Sequence, residues 1–183
     1  WEYIYSGGGV ATGDINNDGL PDLFFAGNMV GDALYLNKGN MQFEDITASS
    51  GILQDQQWTA GVTMGDVNGD GFLDIYICRM GPTINSDEMR NRLYINNGDN
   101  TFTERAKEMN LAHGGYSIQS TFFDYDKDGD LDIYLVNQPP NSRLISRFGL
   151  DVESMDEVIT DRLFRNDGNT FTDVTKAAGL WNR

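Results

Sequence analysis

The 183-residue chain carries 28 acidic side chains against 13 Lys and Arg, a formal net charge of −15, with 39% hydrophobic residues and a mean hydropathy of −0.44. That balance excludes a phosphate-gripping nucleic-acid surface, which needs clustered Lys and Arg, and no apolar run approaches the roughly 20 residues of a membrane-spanning helix. The single cysteine, Cys78, excludes an intrachain disulfide framework, and the composition suits one ordinary soluble domain with a hydrophobic core.

Residues 1–8 read as an opening segment; Trp1 is not a methionine, so a trimmed or processed start is expected. Gly7-Gly8-Gly9 lacks the lysine and helix start of a phosphate loop and reads as a flexible lead-in or a close backbone approach. From Gly9 onward the chain repeats itself. Asp14-Ile15-Asn16-Asn17-Asp18-Gly19-Leu20-Pro21-Asp22 returns as Asp66-Val67-Asn68-Gly69-Asp70-Gly71-Phe72-Leu73-Asp74, and again as Asp124-Tyr125-Asp126-Lys127-Asp128-Gly129-Asp130-Leu131-Asp132. The first aspartates are 52 and 58 residues apart. A second landmark follows each loop: Leu34-Tyr35-Leu36-Asn37-Lys38-Gly39, Leu93-Tyr94-Ile95-Asn96-Asn97-Gly98 and Leu163-Phe164-Arg165-Asn166-Asp167-Gly168, each trailed by a run containing Phe43, Phe102 or Phe171.

The local pattern is β throughout. Segments such as Val62-Thr63-Met64, Ile75-Tyr76-Ile77, Leu93-Tyr94-Ile95 and Thr101-Phe102-Thr103 are short, β-branched or aromatic, and bounded by Gly, Asn and Asp. Asn97-Gly98 and Asp167-Gly168 suit tight hairpins whose two central residues take positive φ, with Lys38-Gly39 a poorer match. Helix is expected only as single turns near Ala106–Met109 and Lys176–Ala178 and a short piece within Met155–Thr160. Each unit is therefore four antiparallel strands: strand, acidic loop, strand, variable connection, strand, hairpin, strand. Such units at this spacing are propeller blades, with strands over about 9–48, 61–106 and 119–175. The organisation is an opening segment 1–8, blade 1 and linker 9–60, blade 2 and linker 61–118, blade 3 at 119–175, and 176–183 leading toward a next blade. Three blades leave two sheet faces uncovered, so the fold class is an all-β propeller fragment whose ends await further blades or a partner chain. A compact three-blade domain is the alternative.

Within each loop, oxygen side chains stand at positions 1, 3, 5 and 9: Asp14, Asn16, Asp18 and Asp22; Asp66, Asn68, Asp70 and Asp74; Asp124, Asp126, Asp128 and Asp132. Glycine at position 6 permits a sharp turn, and the carbonyl of Leu20, Phe72 or Asp130 at position 7 adds a ligand. Such sets suit a hard cation taking six to eight oxygens at about 2.3–2.6 Å, hence Ca2+, one ion per loop. Magnesium prefers a smaller octahedral shell, and the absence of His and Cys from the pattern argues against zinc. An EF-hand is excluded because position 12 is Phe25, Ile77 or Leu135 instead of a bidentate Glu. Ordinary polar turns also favour Asp, Asn and Gly, yet three copies in register would gather repelling carboxylates without a cation. Three such ions would bring the charge from −15 to −9.

These residues resemble FG-GAP/VCBS-type repeats, the blades of integrin-α-like propellers, over about residues 9–180. The resemblance rests on the Asp-x-Asx-x-Asp-Gly-x-x-Asp loop running into Asp-Leu-Phe or Asp-Ile-Tyr, and on the Leu-Tyr-x-Asn-x-Gly block. It implies a calcium-stabilised propeller, typically of seven blades, in secreted or surface proteins (extracellular, cell-surface or periplasmic). It implies no single activity, since relatives of this kind include adhesion modules, carbohydrate-associated scaffolds and some polysaccharide lyases. Phe123, where the other units have Gly13 and Gly65, and Asn at 16 and 68 are the departures.

The span from the last loop aspartate to the second landmark grows from 12 to 19 to 31 residues, so loops 80–90 and 138–160 form the candidate surface for a protein or glycan partner, with plain surface decoration the alternative. Trp58 and Tyr116, each eight residues ahead of a loop, either stack on sugars or pack between blades. His113 reads as a loop residue, and Cys78 as a packed one without a neighbouring base. The expected function is a non-catalytic binding or scaffold module with structural calcium. The runner-up is a glycan lyase or hydrolase using Arg143, Arg147, Asp151, Glu153, Asp156 or Glu157, and a third reading is a purely structural subunit of a surface assembly.

Overall fold

A computed structural model describes residues 8–80, 87–138, 160–168 and 170–181. Twelve strands form three antiparallel four-stranded sheets, each in simple meander order. The first sheet is β1 (Val10–Gly13), β2 (Asp22–Phe25), β3 (Ala33–Asn37) and β4 (Phe43–Asp45). The second is β5 (Thr59–Gly65), β6 (Asp74–Arg79), β7 (Arg92–Asn96) and β8 (Phe102–Glu104), and the third is β9 (Ser117–Phe123), β10 (Asp132–Asn137), β11 (Arg162–Asn166) and β12 (Phe171–Asp173). Among the described residues the one assigned helix is a 3-10 helix at Asp87–Met89, other helical pieces being single turns, and no helix is long and apolar enough to cross a membrane. The chain is thus all-β and built of propeller-type blades. Residues 81–86 and 139–159, with Arg143, Arg147, Asp151, Glu153, Asp156 and Glu157 and all but Thr160 of the helical piece expected within 155–160, lie outside the described residues.

The sheets stack through their first strands, β5 lying against both β1 and β9. Burial follows from that order. Strand β6 is buried at every residue because the second sheet is covered on both faces, whereas β2 and β3 alternate because only one face of the first sheet is covered. One apolar cluster joins Phe24, Leu34 and Leu36 of the first sheet to Val62, Ile75 and Ile77 of the second. Another joins Tyr76, Leu93 and Ile95 to Ile133, Leu135 and Phe171 of the third. Trp58 and Tyr116 are both buried, so they pack and do not form an open sugar platform. Cys78 is fully buried in the second cluster, and burial pushes its thiol up to about 12.

Two local expectations are corrected. The hairpins are not two-residue turns: the last paired residues are Asn37 and Phe43, Asn96 and Phe102, and Asn166 and Phe171. Positive φ falls at Gly39, Gly98 and Gly168, while Asn97 does not share it. The turn is held by the asparagine two residues earlier, whose Oδ1 accepts the glycine N–H at 2.9 Å (Asn37), 2.9 Å (Asn96) and 3.0 Å (Asn166). The working signal is therefore Asn-x-Gly, so Lys38-Gly39 is a full member. The second correction concerns the helical turns: there are three. Asp45, Glu104 and Asp173 accept the N–H of Thr47, Ala106 and Thr175, and positive φ at Gly51, Asn110 and Gly179 ends each turn.

Candidate metal centres

Each acidic loop reverses the chain between the first and second strands of its sheet, and two left-handed residues make the curl possible. Position 6 takes φ of 86° at Gly19, 90° at Gly71 and 100° at Gly129; position 4 takes 59° at Asn17, 73° at Gly69 and 66° at Lys127. Three different side chains hide that second requirement from a sequence reading. The curl turns backbone N–H groups inward onto the position-1 aspartate. Asp14 accepts from Asp18 N at 3.1 Å and Gly19 N at 2.8 Å; Asp66 accepts from Gly69 N at 2.8 Å, Asp70 N at 3.1 Å and Gly71 N at 2.8 Å. Lys127 N donates to Asp124 at 2.6 Å. Position 3 joins the same fold-back, Asn16 Oδ1 and Asn68 Oδ1 accepting from Asp18 N and Asp70 N at 3.1 and 3.0 Å.

The third loop gathers three carboxylates, at positions 1, 3 and 5. Asp124, Asp126 and Asp128, all exposed, each place a carboxylate oxygen within 4.8 Å of the others. Desolvation first, and then the neighbouring Asp128, pushes Asp126 upward. Asp130 at position 7 is pushed up to about 6, by desolvation and again by Asp128. An all-oxygen cluster in which the Asp128 charge raises the proton affinity of Asp126 fits a hard cation, since the donors are the right chemistry. In the first two loops the position-3 residue is Asn, and its Nδ2 donates to Asp18 at 3.1 Å or Asp70 at 2.8 Å. Only two of the upper three positions there carry charge. Leu20 and Phe72 supply position-7 carbonyls, and their N–H groups donate to Asp18 and Asp70, both at 2.9 Å.

Position 9 has a second job that the spacing did not reveal. Asp22, Asp74 and Asp132 are fully buried. One oxygen of each accepts the position-2 N–H (Ile15 at 3.0 Å, Val67 at 3.0 Å, Tyr125 at 2.6 Å), and the other accepts the N–H of Asn37, Asn96 or Asn166 at 2.8 Å. The carboxylate therefore staples loop base to third strand, which makes the two sequence landmarks one physical unit. Both oxygens keep a second lone pair, so the staple leaves capacity for a cation. Burial pushes Asp22 upward and Asp74 up to about 6, only partly offset by those N–H bonds.

Catalytic chemistry finds little among the described residues. His113 is half-buried beside Phe164, and desolvation followed by Arg162 pushes it down to about 4, so it is neutral at pH 7. Arg79, fully buried, forms a two-pronged pair with Asp55 at 2.6 and 2.8 Å and donates to Glu88 O at 3.0 Å, which fixes the described end of the connection after β6.

Residues 7–77 and 83–135 match the FG-GAP-like repeat. Cartilage acidic protein 1 of Xenopus tropicalis is 29% identical over 155 residues, covering 79% of this chain and 22% of that protein. Integrin alpha-8 of Gallus gallus is 29% identical over 145 residues, covering 70% of this chain and 14% of that protein. The chain thus spans between about a seventh and about a fifth of these relatives. The crystal structure of the V. cholerae biofilm matrix protein Bap1 aligns over 90% of this chain and 19% of its own, with a TM-score of 0.47 and 17% identity.

Proposed function

The chain belongs to the FG-GAP-like repeat family, and on that premise we propose that it is part of a calcium-stabilised propeller serving as an extracellular or cell-surface binding module. The observation that carries this reading is the convergence of Asp124, Asp126 and Asp128 in a loop built three times over. Asp14, Asn16, Asp18 and Asp22 would hold one ion with the Leu20 carbonyl, and Asp66, Asn68, Asp70 and Asp74 a second with that of Phe72. Asp124, Asp126, Asp128 and Asp132 would hold the third with the Asp130 carbonyl. Calcium, when bound, supplies the positive charge these oxygens lack. The chain's part is to pre-curl each loop through positions 4 and 6, so that little ordering cost accompanies binding.

A rigid row of blades then presents the long connections 80–90 and 138–160 to a protein or glycan partner. The names of the integrin and cartilage relatives support a location outside the cell. Binding is favoured over catalysis because the only cysteine is fully buried and His113 is held neutral and packed. Thermal unfolding tests the reading. The melting temperature is expected to rise by several degrees between excess EDTA and millimolar Ca2+, as mass action on a weak extracellular-type site requires. Superimposable curves would remove the cation from the account.

A further inference from the structure

Two asparagines of the chain stand directly before a glycine: Asn68-Gly69 in the second acidic loop and Asn97-Gly98 in the β7–β8 hairpin. Asparagine is a thermally labile side chain. A following glycine opens one route in particular, because with no Cβ in the way its backbone nitrogen can close on the asparagine Cγ. All four residues are exposed, yet the structure separates the two pairs. Asn97 is held across its hairpin at both ends of the amide: Nδ2 donates to Thr101 Oγ1 at 2.9 Å, and Oδ1 accepts from Thr103 Oγ1 at 3.1 Å. Its glycine is packed too, since a Cβ at Gly98 would meet the Phe72 ring at 3.2 Å, and Gly98 N donates to Asn96 Oδ1 at 2.9 Å.

The Asn68 amide bonds only two residues along its own loop. Oδ1 accepts from Asp70 N at 3.0 Å, and Nδ2 donates to Asp70 Oδ2 at 2.8 Å. A Cβ at Gly69 would meet nothing within 4 Å, so the loop apex is open. Gly69 N donates to Asp66 Oδ1 at 2.8 Å, a carboxylate in place to take its proton. The other two loops lack this combination. Asn16 is followed by Asn17, whose Nδ2 reaches across to Gly71 O at 3.0 Å, and there Asp14 takes its N–H bonds from Asp18 and Gly19. The third loop has Asp126 before Lys127.

We propose that Asn68 is a deamidation site, at which the second loop converts its own position-3 amide to a carboxylate. Gly69 N bonds to Asn68 Cγ and gives its proton to Asp66. The Cγ–Nδ2 bond breaks, and Nδ2 takes up that proton and leaves as ammonia, so that a five-membered succinimide remains. Water opens this ring at either carbonyl, giving aspartate or isoaspartate at position 68. The aspartate product has the donor set of the third loop, carboxylates at positions 1, 3 and 5, and takes the net charge from −15 to −16. The isoaspartate product lengthens the backbone by one carbon inside the curl. Attack requires Asn68 to turn its Cγ onto Gly69 N, so a cation held by Asn68 Oδ1 and Asp66 opposes it; that arm rests on the calcium reading above. The test incubates the full chain at mildly alkaline pH, in excess EDTA or in millimolar Ca2+, and follows its peptides by mass. In EDTA the exchange of amide for acid is expected at least about tenfold faster at Asn68 than at Asn97, whose hairpin must open first. The product elutes as two peaks of equal mass, one matching the same peptide from Asn68→Asp. Gly69→Asn installs the first loop's pair where there is room for a side chain and where Asn17 shows that asparagine takes the left-handed conformation; it is expected to stop the reaction in a folded chain. Loss of amide at Asn68 no faster than at Asn97 overturns the proposal, and so does a Gly69→Asn chain that reacts as the parent does. Ca2+ is expected to slow the parent reaction. An unslowed rate in a chain whose melting temperature rises with Ca2+ overturns the gating, whereas superimposable melting curves overturn the calcium reading and leave the site to the EDTA comparison.

Discussion

Replacing Asn96 by Ala isolates what joins one blade to the next. The side chain is buried and makes three bonds: donations to Ile15 O at 2.8 Å and Leu73 O at 3.1 Å, and acceptance from Gly98 N at 2.9 Å. Truncation leaves the Ile15 carbonyl stranded in an apolar interface and frees the turn. An orphaned buried group costs about 1–3 kcal/mol, so the loss is on the order of 3 kcal/mol. Asn37→Ala removes a solvent-exposed donation to Pro21 O and a half-buried acceptance from Gly39 N, both replaceable by water. Its cost is about 1 kcal/mol, near the net worth of an ordinary hydrogen bond. Asn166→Ala is expected to match Asn96→Ala, since it bridges Val67 O and Leu131 O in the same way. Urea unfolding at fixed Ca2+, with the m-value checked for constancy, gives the three differences. Equal losses at positions 37 and 96 would refute the reasoning, because the cross-sheet bond would then contribute nothing.

Three other outcomes follow from the same geometry. Lys127 holds φ at 66°, a conformation that costs an L-residue roughly 1–2 kcal/mol, so Lys127→Gly is expected to raise urea stability by about 1 kcal/mol after glycine's own entropy loss; a loss would contradict the loop account. Asp74 and Asp130 both lie near 6, above the ordinary 3.8, so the metal-free fold binds protons more tightly than the unfolded chain. Their contribution is present in full below about pH 4 and is lost as pH rises through 6. His113, held at about 4 in the fold, acts in the opposite sense over the same range, so the carboxyl contribution is read by difference: in EDTA the urea midpoint of Asp130→Asn is expected to gain on that of the parent chain from pH 5 to pH 7, and Ca2+ affinity should weaken below pH 6; a constant difference between the two would contradict this. Cys78 is expected to resist a thiol reagent at pH 7.5 until urea is added, since burial holds its thiol up at about 12; prompt native-state reaction would contradict its packing.

Much of the architecture is legible in the sequence because the acidic loop needs particular residues at particular places: glycine where φ is near 90°, and oxygen donors on alternate positions. The strand pattern follows from the short β-branched and aromatic runs between those loops. What escapes is whatever depends on a distant neighbour. Val10 and Val62 are the same residue at the same repeat position, and only the presence of another sheet makes one exposed and the other buried. The staple of Asp22, Asp74 and Asp132 spans 15, 22 and 34 residues to the asparagine N–H, and the asparagine latches span 81 and 99, so no local window contains them. Positive φ at position 4 is masked by Asn, Gly and Lys sharing one conformation.

The central claim is that the curled acidic loops are cation cages. Anomalous diffraction from crystals grown with Ca2+ reads this directly. The expected result is a peak in each loop, with carboxylate oxygens of Asp124, Asp126 and Asp128 about 2.3–2.6 Å from the third ion. Water-level density in all three loops, with those side chains turned apart, would contradict it.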